Sequence, residues 1–467
     1  MDPSALNFLL KYPSRELYDG QLAKREPNYS EPVNSSGSPP RVYSVRQQAR
    51  LPQELFDHII DSLSEDRQAL KACSLASRLW LHRCRHHLHR SVTLYHQNCR
   101  IHPSQTKNIS LFLTLPVVSE YTRELHLEGK TDYQQWQHNV DHQEEDDGTD
   151  LFWKVLARFS HVQTLRVNRL FWVSHPLDSK DRLCTSFPSV TDLDVYMSDF
   201  ADSSEFLSFL SAFPRVSRLK VERVFWCRSA TEWYNSSGLD PSSYRILPPD
   251  ATPGAYLRRL QVQHCDVHIM VDIAKWLATL SSPTINSLYL SPPDGDDFGA
   301  LPLYLRAIGP SLEHLFLTLE FDTRCETLRQ GKLSFSQSFI SDSHFILAIA
   351  GLESCSRLQS LTLSGNFALG RKFVKAANIF WPCVLIVLTH TASRRLHTVR
   401  FECQIEDLEA SALSEVDALL SDRAFASLSD VIFVLVDLKD KDSEETMGIL
   451  QTYLPLTASR GALRFHF

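Results

Sequence analysis

The chain has 467 residues, 43% of them hydrophobic, and a net charge of −7. This is the composition of an ordinary globular protein, and the negative balance gives no reason to expect nucleic acid as the main partner. The ten cysteines include no CxxC pair, which favours a reduced cytoplasmic or nuclear protein over a disulfide scaffold. The longest apolar run, 379–388, is too short to span a bilayer, so we expect no membrane partner.

Residues 1–50 are predicted to be a partly flexible lead-in. Residues 1–20 lack the basic start and the long apolar core of a signal peptide. The stretch 26–41 is rich in Pro, Ser and Asn, a composition typical of flexible segments.

Residues 51–94 are predicted to form a compact unit of three short helices and a strand. Pro52 suits the first turn of the first helix, where its missing N–H costs nothing. Leu55, Ile59 and Leu63 then recur at i, i+4 and i+8 on one face of that helix.

Two further helices follow in the same unit. Asp66 is suited to cap the second helix, which carries Leu70, and Ser77 is suited to cap the third, which carries Trp80. The apolar positions of the three helices exceed what so small a unit can bury alone. That surplus indicates a docking module rather than a catalytic centre.

The motif L-P-x-E-L-x-x-x-I-x-x-x-L, followed by L-x-x-C-S-L-x-S-R-x-W and R-H-H-L-x-R-S-V-T-L, resembles the F-box, in the form common in proteins of mushroom-forming fungi. The resemblance implies docking on a Skp-family adaptor and, through it, on a cullin. A small helical cap on the following segment is the other interpretation, and the two do not exclude each other. The positions that match adaptor contacts of the family are Leu51, Pro52, Leu55, Ile59, Leu63, Leu70 and Trp80.

An apolar-x-x-apolar-x-apolar frame recurs through residues 110–467, most clearly at 159–167, 187–195 and 213–221. The last two apolar positions alternate as they do on a strand with one buried face. Helical patterns lie between the copies, for example at 203–213 with a capping serine. We therefore predict right-handed crossovers and a parallel sheet. The leucines expected to stack as equivalent core residues are Leu165, Leu193, Leu219, Leu260, Leu288, Leu315 and Leu361.

This frame resembles leucine-rich repeats. Two copies carry the fuller pattern, one ending in Asn366 and one in Cys265, and in that family the asparagine bonds the turning backbone while cysteine is an allowed replacement. The other copies lack both residues, and their spacing drifts widely. The predicted fold is therefore α/β: a small three-helix F-box followed by an irregular leucine-rich-repeat-like solenoid with a parallel sheet. Ordinary α/β strands with coincidental frames are the alternative.

Enzyme motifs are absent from the sequence: there is no G-x-S-x-G, G-x-G-x-x-G, P-loop or H-E-x-x-H pattern. His82, Cys84 and His86 could bind a metal by residue type. Because their helix also carries Trp80 and lies inside the F-box resemblance, a basic surface is the expected explanation. We predict no catalytic, cofactor-binding or metal-binding residues, although a site assembled from distant residues would not be visible in sequence.

Together the two resemblances imply a substrate-recognition subunit of an SCF-type cullin-RING ubiquitin ligase. The F-box would dock on the adaptor, and the repeat region would hold an unknown target protein near the ubiquitin-charged enzyme. A repeat scaffold without ubiquitin transfer is the main alternative.

The target-binding surface is expected on the inner, concave face of the sheet. The residue between the two apolar positions of each strand points away from the buried side. Tyr289 and Phe316 occupy that position in neighbouring copies, and aromatic side chains dominate many interfaces. They are predicted to form part of the target-binding patch, unless inserted loops cover them and make them core.

Overall fold

The computed structural model describes residues 52–97, 100–101, 116–129, 152, 154–170, 172, 182, 185–226, 256–280, 284–291, 300–319, 349–365, 377–391, 393–404, 408, 410–436 and 443–466. The predicted lead-in 1–50, Leu51 and Asn366 lie outside these residues. The described residues fall into two compact units. Those up to Ser91, with 116–122, form the helical unit, and 92–101, with the residues from 123 onward, form the sheet unit.

Four helices build the helical unit: α1 (Gln53–Ser62), α2 (Arg67–Ala76), α3 (Arg78–His89) and α4 (Pro116–Tyr121). The two predicted N-caps are confirmed. The Asp66 carboxylate accepts the backbone N–H groups of Gln68 and Ala69 at 3.0 and 2.9 Å. The Ser77 hydroxyl accepts the N–H of Leu79 at 3.3 Å. Each cap satisfies donors that the first turn of a helix leaves unpaired, which explains why α2 and α3 begin where they do.

The sheet unit is built on one 13-stranded sheet. Its strands are β1 (Ser91–Gln97), β2 (Arg100–Ile101), β3 (Glu124–Gly129), β4 (Thr164–Asn168), β5 (Asp192–Tyr196), β7 (Arg218–Glu222), β9 (Arg259–Gln263), β10 (Ser287–Ser291), β11 (His314–Thr318), β12 (Ser360–Ser364), β13 (Thr398–Gln404), β14 (Asp430–Val436) and β15 (Leu463–His466). From β3 to β15 the strands lie in chain order and every neighbouring pair is parallel, which confirms the predicted parallel sheet. At the other end β1 and β2 pair antiparallel. Two further short strands, β6 (Asp199–Phe200) and β8 (Phe225–Trp226), form a separate parallel pair.

The predicted leucine stack is confirmed by strand register. Leu165 lies opposite Leu193, Leu193 opposite Leu219, and the series continues from strand to strand to Leu361. Each of these leucines is at most 2% exposed. Burial alternates along the strands, so that one face of the sheet is core and the other is open. This is the arrangement of a leucine-rich-repeat-like solenoid, in which each repeat buries its apolar side on its neighbours.

Helices connect the strands: α5 (Ser203–Ser211), α6 (Val267–Thr279), α7 (Leu301–Ile308), α8 (Ala377–His390), α9 (Ala410–Leu420), α10 (Ser443–Tyr453) and α11 (Pro455–Ser459). The ring of Trp381 in α8 contacts Phe401 and Phe433 of β13 and β14, at centroid distances of 5.6 and 6.4 Å. The helix therefore packs on the leucine side of the sheet. The predicted cap of α5 was wrong, because the Asp202 carboxylate rather than a serine accepts the N–H of Glu205.

A row of backbone hydrogen bonds between successive repeats keeps them in register. One carbonyl per repeat accepts two N–H groups of the next repeat, at 2.8 to 3.1 Å. Arg123 accepts from Gln163 and Thr164, and Gln163 from Thr191 and Asp192. The same arrangement continues at Thr191, Ser217, Arg258, Asn286, Glu313, Gln359 and His397. Because these bonds involve backbone atoms alone, repeats of very different length can share one geometry.

A left-handed residue directly follows the strand in four successive repeats. These residues are Arg169, Met197, Arg223 and His264, with φ between 47° and 55°. The N–H of each donates to the carbonyl that ends the next strand, for example Arg169 to Tyr196 at 3.0 Å. These bonds offset a conformation that costs about 1–2 kcal/mol for a residue other than glycine.

Side chains after these turns bond the turning backbone. The Cys265 thiol donates to the carbonyl of Gln263 at 3.2 Å and lies 3.8 Å from that of Val221. The Ser198 hydroxyl donates to the Tyr196 carbonyl at 3.0 Å and accepts the N–H of Leu170 at 3.2 Å. Cys265 therefore bonds the turning backbone as expected of the repeat asparagine, and Ser198 does the same two strands earlier in the sheet. Of the helices in the described part of the chain, none is long and apolar enough to cross a membrane.

Candidate interaction surfaces

The helical unit has a small core of its own. Ile60, Leu70, Cys84 and Leu88 form a buried cluster, and Trp80 packs against it with Leu63 and Cys73 at its margin. Phe56 of α1 lies 5.5 Å from Trp80 of α3, centroid to centroid. Leu70 is fully buried, so in this conformation its side chain stabilises the unit and offers no surface to a partner.

Four large apolar side chains of the helical unit face solvent. Leu55 and Ile59 of α1 are 49% and 51% exposed, and Leu75 and Leu79 are 60% and 67% exposed. The described part of the chain has eight such exposed side chains in all, so half of them lie on three short helices. An exposed apolar concentration of this kind typically marks an interaction site. Pro52, at the start of α1, is also exposed.

Sequence reasoning included Leu55 and Ile59 but missed Leu75 and Leu79. Both fall inside the quoted motif, and their spacing alone does not separate them from the buried residues. Whether a leucine is exposed or buried depends on which sides of α2 and α3 face α1. That orientation depends on the packing of Leu70 and Trp80 rather than on local periodicity.

Asp61 of α1 ties the first helix to the third. Its carboxylate accepts from Arg83 Nε and Nη2 at 2.5 and 2.6 Å, and lies 2.8 Å from His87 Nε2. The hydrogen bond from Arg83 and then that from His87 hold the pKa of Asp61 well below its ordinary value, although burial acts in the opposite direction. A bidentate arginine–carboxylate pair fixes orientation as well as distance, so this contact sets the angle at which α1 presents Leu55 and Ile59.

We expect Asp61→Asn to lower the stability of the helical unit near neutral pH. The difference in stability between variant and wild type should shrink as the pH falls. Because the folded-state pKa of Asp61 is lowered, its contribution is fully present above the unfolded pKa of about 4 and disappears under more acidic conditions. Hydrogen exchange of peptides from 53–89, wild type against variant at each pH, measures this. Asp57→Asn is the control, since it also removes a carboxylate from α1. Among the described residues, the Asp57 carboxylate accepts a hydrogen bond only from the exposed side chain of Gln53. An equal effect of both variants would contradict the role given to the Asp61–Arg83 pair.

The histidine-rich segment of α3 does not gather a metal site. Cys84 is buried in the core cluster, and burial raises the pKa of its thiol to about 11. His82 Nδ1 lies 2.5 Å from the Tyr121 hydroxyl, and His87 bonds to Asp61. Among the described residues, no three His, Cys, Asp or Glu side chains lie close enough together to hold a metal ion.

The open face of the sheet carries the predicted outward row. Tyr289 lies opposite Phe316 in register, and their rings stack at 4.0 Å between centroids and 14° between planes. The Tyr289 hydroxyl lies 3.3 Å from Thr318 Oγ1. Both aromatic side chains are half-buried on the side of the sheet opposite the leucine stack, and the rings stiffen each other there.

Charge is distributed unevenly over this face. The outward positions of β10, β11 and β12 carry no Asp, Glu, Lys or Arg, so the aromatic pair lies in an uncharged zone. In contrast, the outward positions of β3, β4, β5 and β7 carry both acidic and basic side chains. These include the ion pairs Arg218–Asp192 and Lys220–Glu222. The face therefore offers an uncharged aromatic zone and a charged zone.

No family model and no curated protein matches the chain. Among solved structures it is similar to the leucine-rich repeat-containing protein LegL7 from Legionella pneumophila, at 14% identity and a TM-score of 0.38, over 77% of this chain and 97% of that chain.

Proposed function

We propose that this chain is the substrate-recognition subunit of an SCF-type cullin-RING ubiquitin ligase. The observation that carries the proposal is the concentration of exposed apolar side chains on a helical unit that already has its own core. Leu55 and Ile59 lie one helical turn apart on α1 and are about half exposed. By the sequence resemblance, they correspond to F-box positions that meet a Skp-family adaptor. Burying two such side chains at an interface contributes roughly 1.5–3 kcal/mol each.

The sheet unit supplies the second half of the proposal. A long parallel sheet with one open face offers many side chains in fixed register, which suits recognition of a folded target or an extended segment. In this proposal Tyr289 and Phe316 belong to the target-binding patch, because a pre-stacked aromatic pair loses little side-chain freedom when a partner covers it.

The mechanism is proximity. The helical unit holds the ligase machinery while the open face holds the target, so that target lysines experience a raised effective concentration of charged ubiquitin. No chemical step is assigned to this chain. The same open face would serve a scaffold that binds partners without ubiquitin transfer, and the experiment below separates the two functions.

Proximity labelling of the full chain, with and without proteasome inhibition, tests this function. A substrate-recognition subunit is expected to label a Skp-family adaptor and a cullin, together with further proteins whose abundance rises on inhibition. A scaffold is expected to label partners whose abundance does not change, with neither adaptor nor cullin among them. That second pattern would refute the ligase proposal.

A further inference from the structure

A polar depression lies on the open face of the sheet at its charged end, away from the aromatic pair. Two outward rows of three successive strands line it, one formed by His126, Arg166 and Asp194 and the next by Glu128, Asn168 and Tyr196. Its volume is about 210 Å³. The six side chains come from β3, β4 and β5, so the parallel register itself assembles them.

Three polar atoms in this depression are buried and have no hydrogen-bond partner among the described residues: His126 Nε2, Asn168 Oδ1 and Asp194 Oδ1. A buried polar atom left unpaired costs about 1–3 kcal/mol. Three of them line one depression, where a bound ligand would supply the missing partners.

The chemistry of the neighbours fixes which atoms face inward. Asn168 Nδ2 donates to Glu128 Oε1 at 2.7 Å. The reverse amide orientation would set two oxygens against each other, so Asn168 Oδ1 is the acceptor left over. On Asp194, Oδ2 faces Arg166 Nε at 4.0 Å, the outer limit of an ion pair, and Oδ1 is unpartnered.

The charge in the depression favours a cation. Its lining carries two carboxylates, on Glu128 and Asp194, against one guanidinium, on Arg166. Lys220 lies beside Asp194 on the next strand, and its ammonium is paired with Glu222 at 2.7 Å. Burial, followed by the nearby Arg166 charge, lowers the pKa of His126, which keeps the imidazole neutral at neutral pH. Burial also raises the pKa of Asp194, although the charges of Lys220 and Arg166 act in the opposite direction. Arg166 is 52% exposed and can turn outward when a second cation enters.

We propose that this depression binds an arginine side chain of a partner protein, with Asp194 and Asn168 accepting its N–H groups. The two acceptors lie in diagonal positions on neighbouring strands, since Asp194 is opposite Arg166 and Asn168 is opposite Tyr196. Residues in diagonal positions are about 7–8 Å apart, and the side chains of both line the depression. A planar guanidinium, with five donors in a fixed fork, can reach two separate acceptors, whereas a lysine ammonium is a compact point charge. Glu128, already holding Asn168, adds the second negative charge.

This inference rests on the proposed function in one respect only: if the chain is a ligase subunit, the arginine belongs to the captured target protein. The depression itself does not depend on the helical unit. If adaptor binding fails while arginine binding holds, the ligase proposal falls and the site stands. If the reverse is found, the site falls alone.

The test is titration of the full chain with the blocked peptide Gly-Gly-Arg-Gly-Gly, followed by saturation-transfer NMR. Peptides with citrulline or lysine in place of arginine are compared. The variant is Asp194→Asn, and the matched control is Asp192→Asn, two residues earlier on the same strand, whose carboxylate pairs with Arg218 outside the depression. Glu128→Gln removes the other carboxylate and is the second variant should Asp194→Asn fail to fold.

The expected result is saturable binding of the arginine peptide, weakened about tenfold by Asp194→Asn or by citrulline, and changed less than about twofold by Asp192→Asn. Any of three results would overturn the proposal: no saturable binding by wild type up to about 10 mM, equal losses in the Asp194 and Asp192 variants, or lysine and citrulline peptides that bind as well as the arginine peptide.

Discussion

Replacing Leu260 by alanine is expected to lower the free energy of unfolding of the sheet unit by about 2–5 kcal/mol. Leu260 is 1% exposed and lies in register between Leu219 and Leu288. Truncation leaves a cavity that both neighbouring repeats share, because a solenoid buries each repeat on the next. Urea unfolding followed by far-UV circular dichroism measures the loss.

Gln261→Ala is the matched control, since it changes the next residue on the same strand. Its side chain lies on the open face, where it bonds to Gln263 at 2.7 Å. Truncation there should change the unfolding free energy by less than about 0.5 kcal/mol. Equal losses from the two variants would mean that the two faces of the sheet are not core and solvent as described.

The double variant Leu55→Asp, Ile59→Asp is expected to weaken binding of a Skp-family adaptor by about 100-fold or more. Each substitution removes an apolar contact and places a carboxylate at the interface, where desolvating an unpaired charge is costly. Both side chains are about half exposed, so the fold of the helical unit should survive. Calorimetric titration of the purified adaptor into the full chain measures the change.

Ile449→Asp is the control for that variant, because Ile449 is an exposed apolar residue, at 40%, on α10 of the sheet unit. It should leave adaptor affinity unchanged. Trp80→Ala would be a poorer probe, since Trp80 packs on the buried cluster and its loss would weaken folding and binding together. Equal losses from Ile449→Asp and the double variant would show non-specific sensitivity to charge.

The sequence predicted the repeat core well because its signal is local. A strand with one buried face reads as period-2 alternation, and the frame placed Leu165 and the later leucines at positions that the strand register then made equivalent. Cys265 was found by the same means, since the repeat pattern names its position and the thiol indeed bonds the turning backbone.

Features that depend on two or more repeats could not be predicted. The short parallel pair of β6 (Asp199–Phe200) and β8 (Phe225–Trp226) joins two repeats, each strand following the left-handed turn after β5 or β7. The polar depression is similar, because Asn168 and Glu128 are 40 residues apart in sequence. Such contacts follow from register between strands, which no single repeat encodes.

The helical unit shows the limit of periodicity. Leu55 and Leu63 share one predicted stripe, yet Leu55 is half exposed while Leu63 packs against the buried cluster. Leu70 matches an adaptor-contact position by resemblance and is fully buried. Which apolar residues face solvent depends on three-helix packing and on the Asp61–Arg83 pair, and neither follows from spacing on one helix.

Sedimentation velocity of the full chain, mixed with a purified Skp-family adaptor and the adaptor-binding part of a cullin, tests the central claim most directly. The proposal predicts one complex containing a single copy of each component, which the Leu55→Asp, Ile59→Asp variant fails to form and the Ile449→Asp variant still forms. If the wild-type chain sediments alone while the adaptor and the cullin associate with each other, the chain is not a subunit of such a ligase.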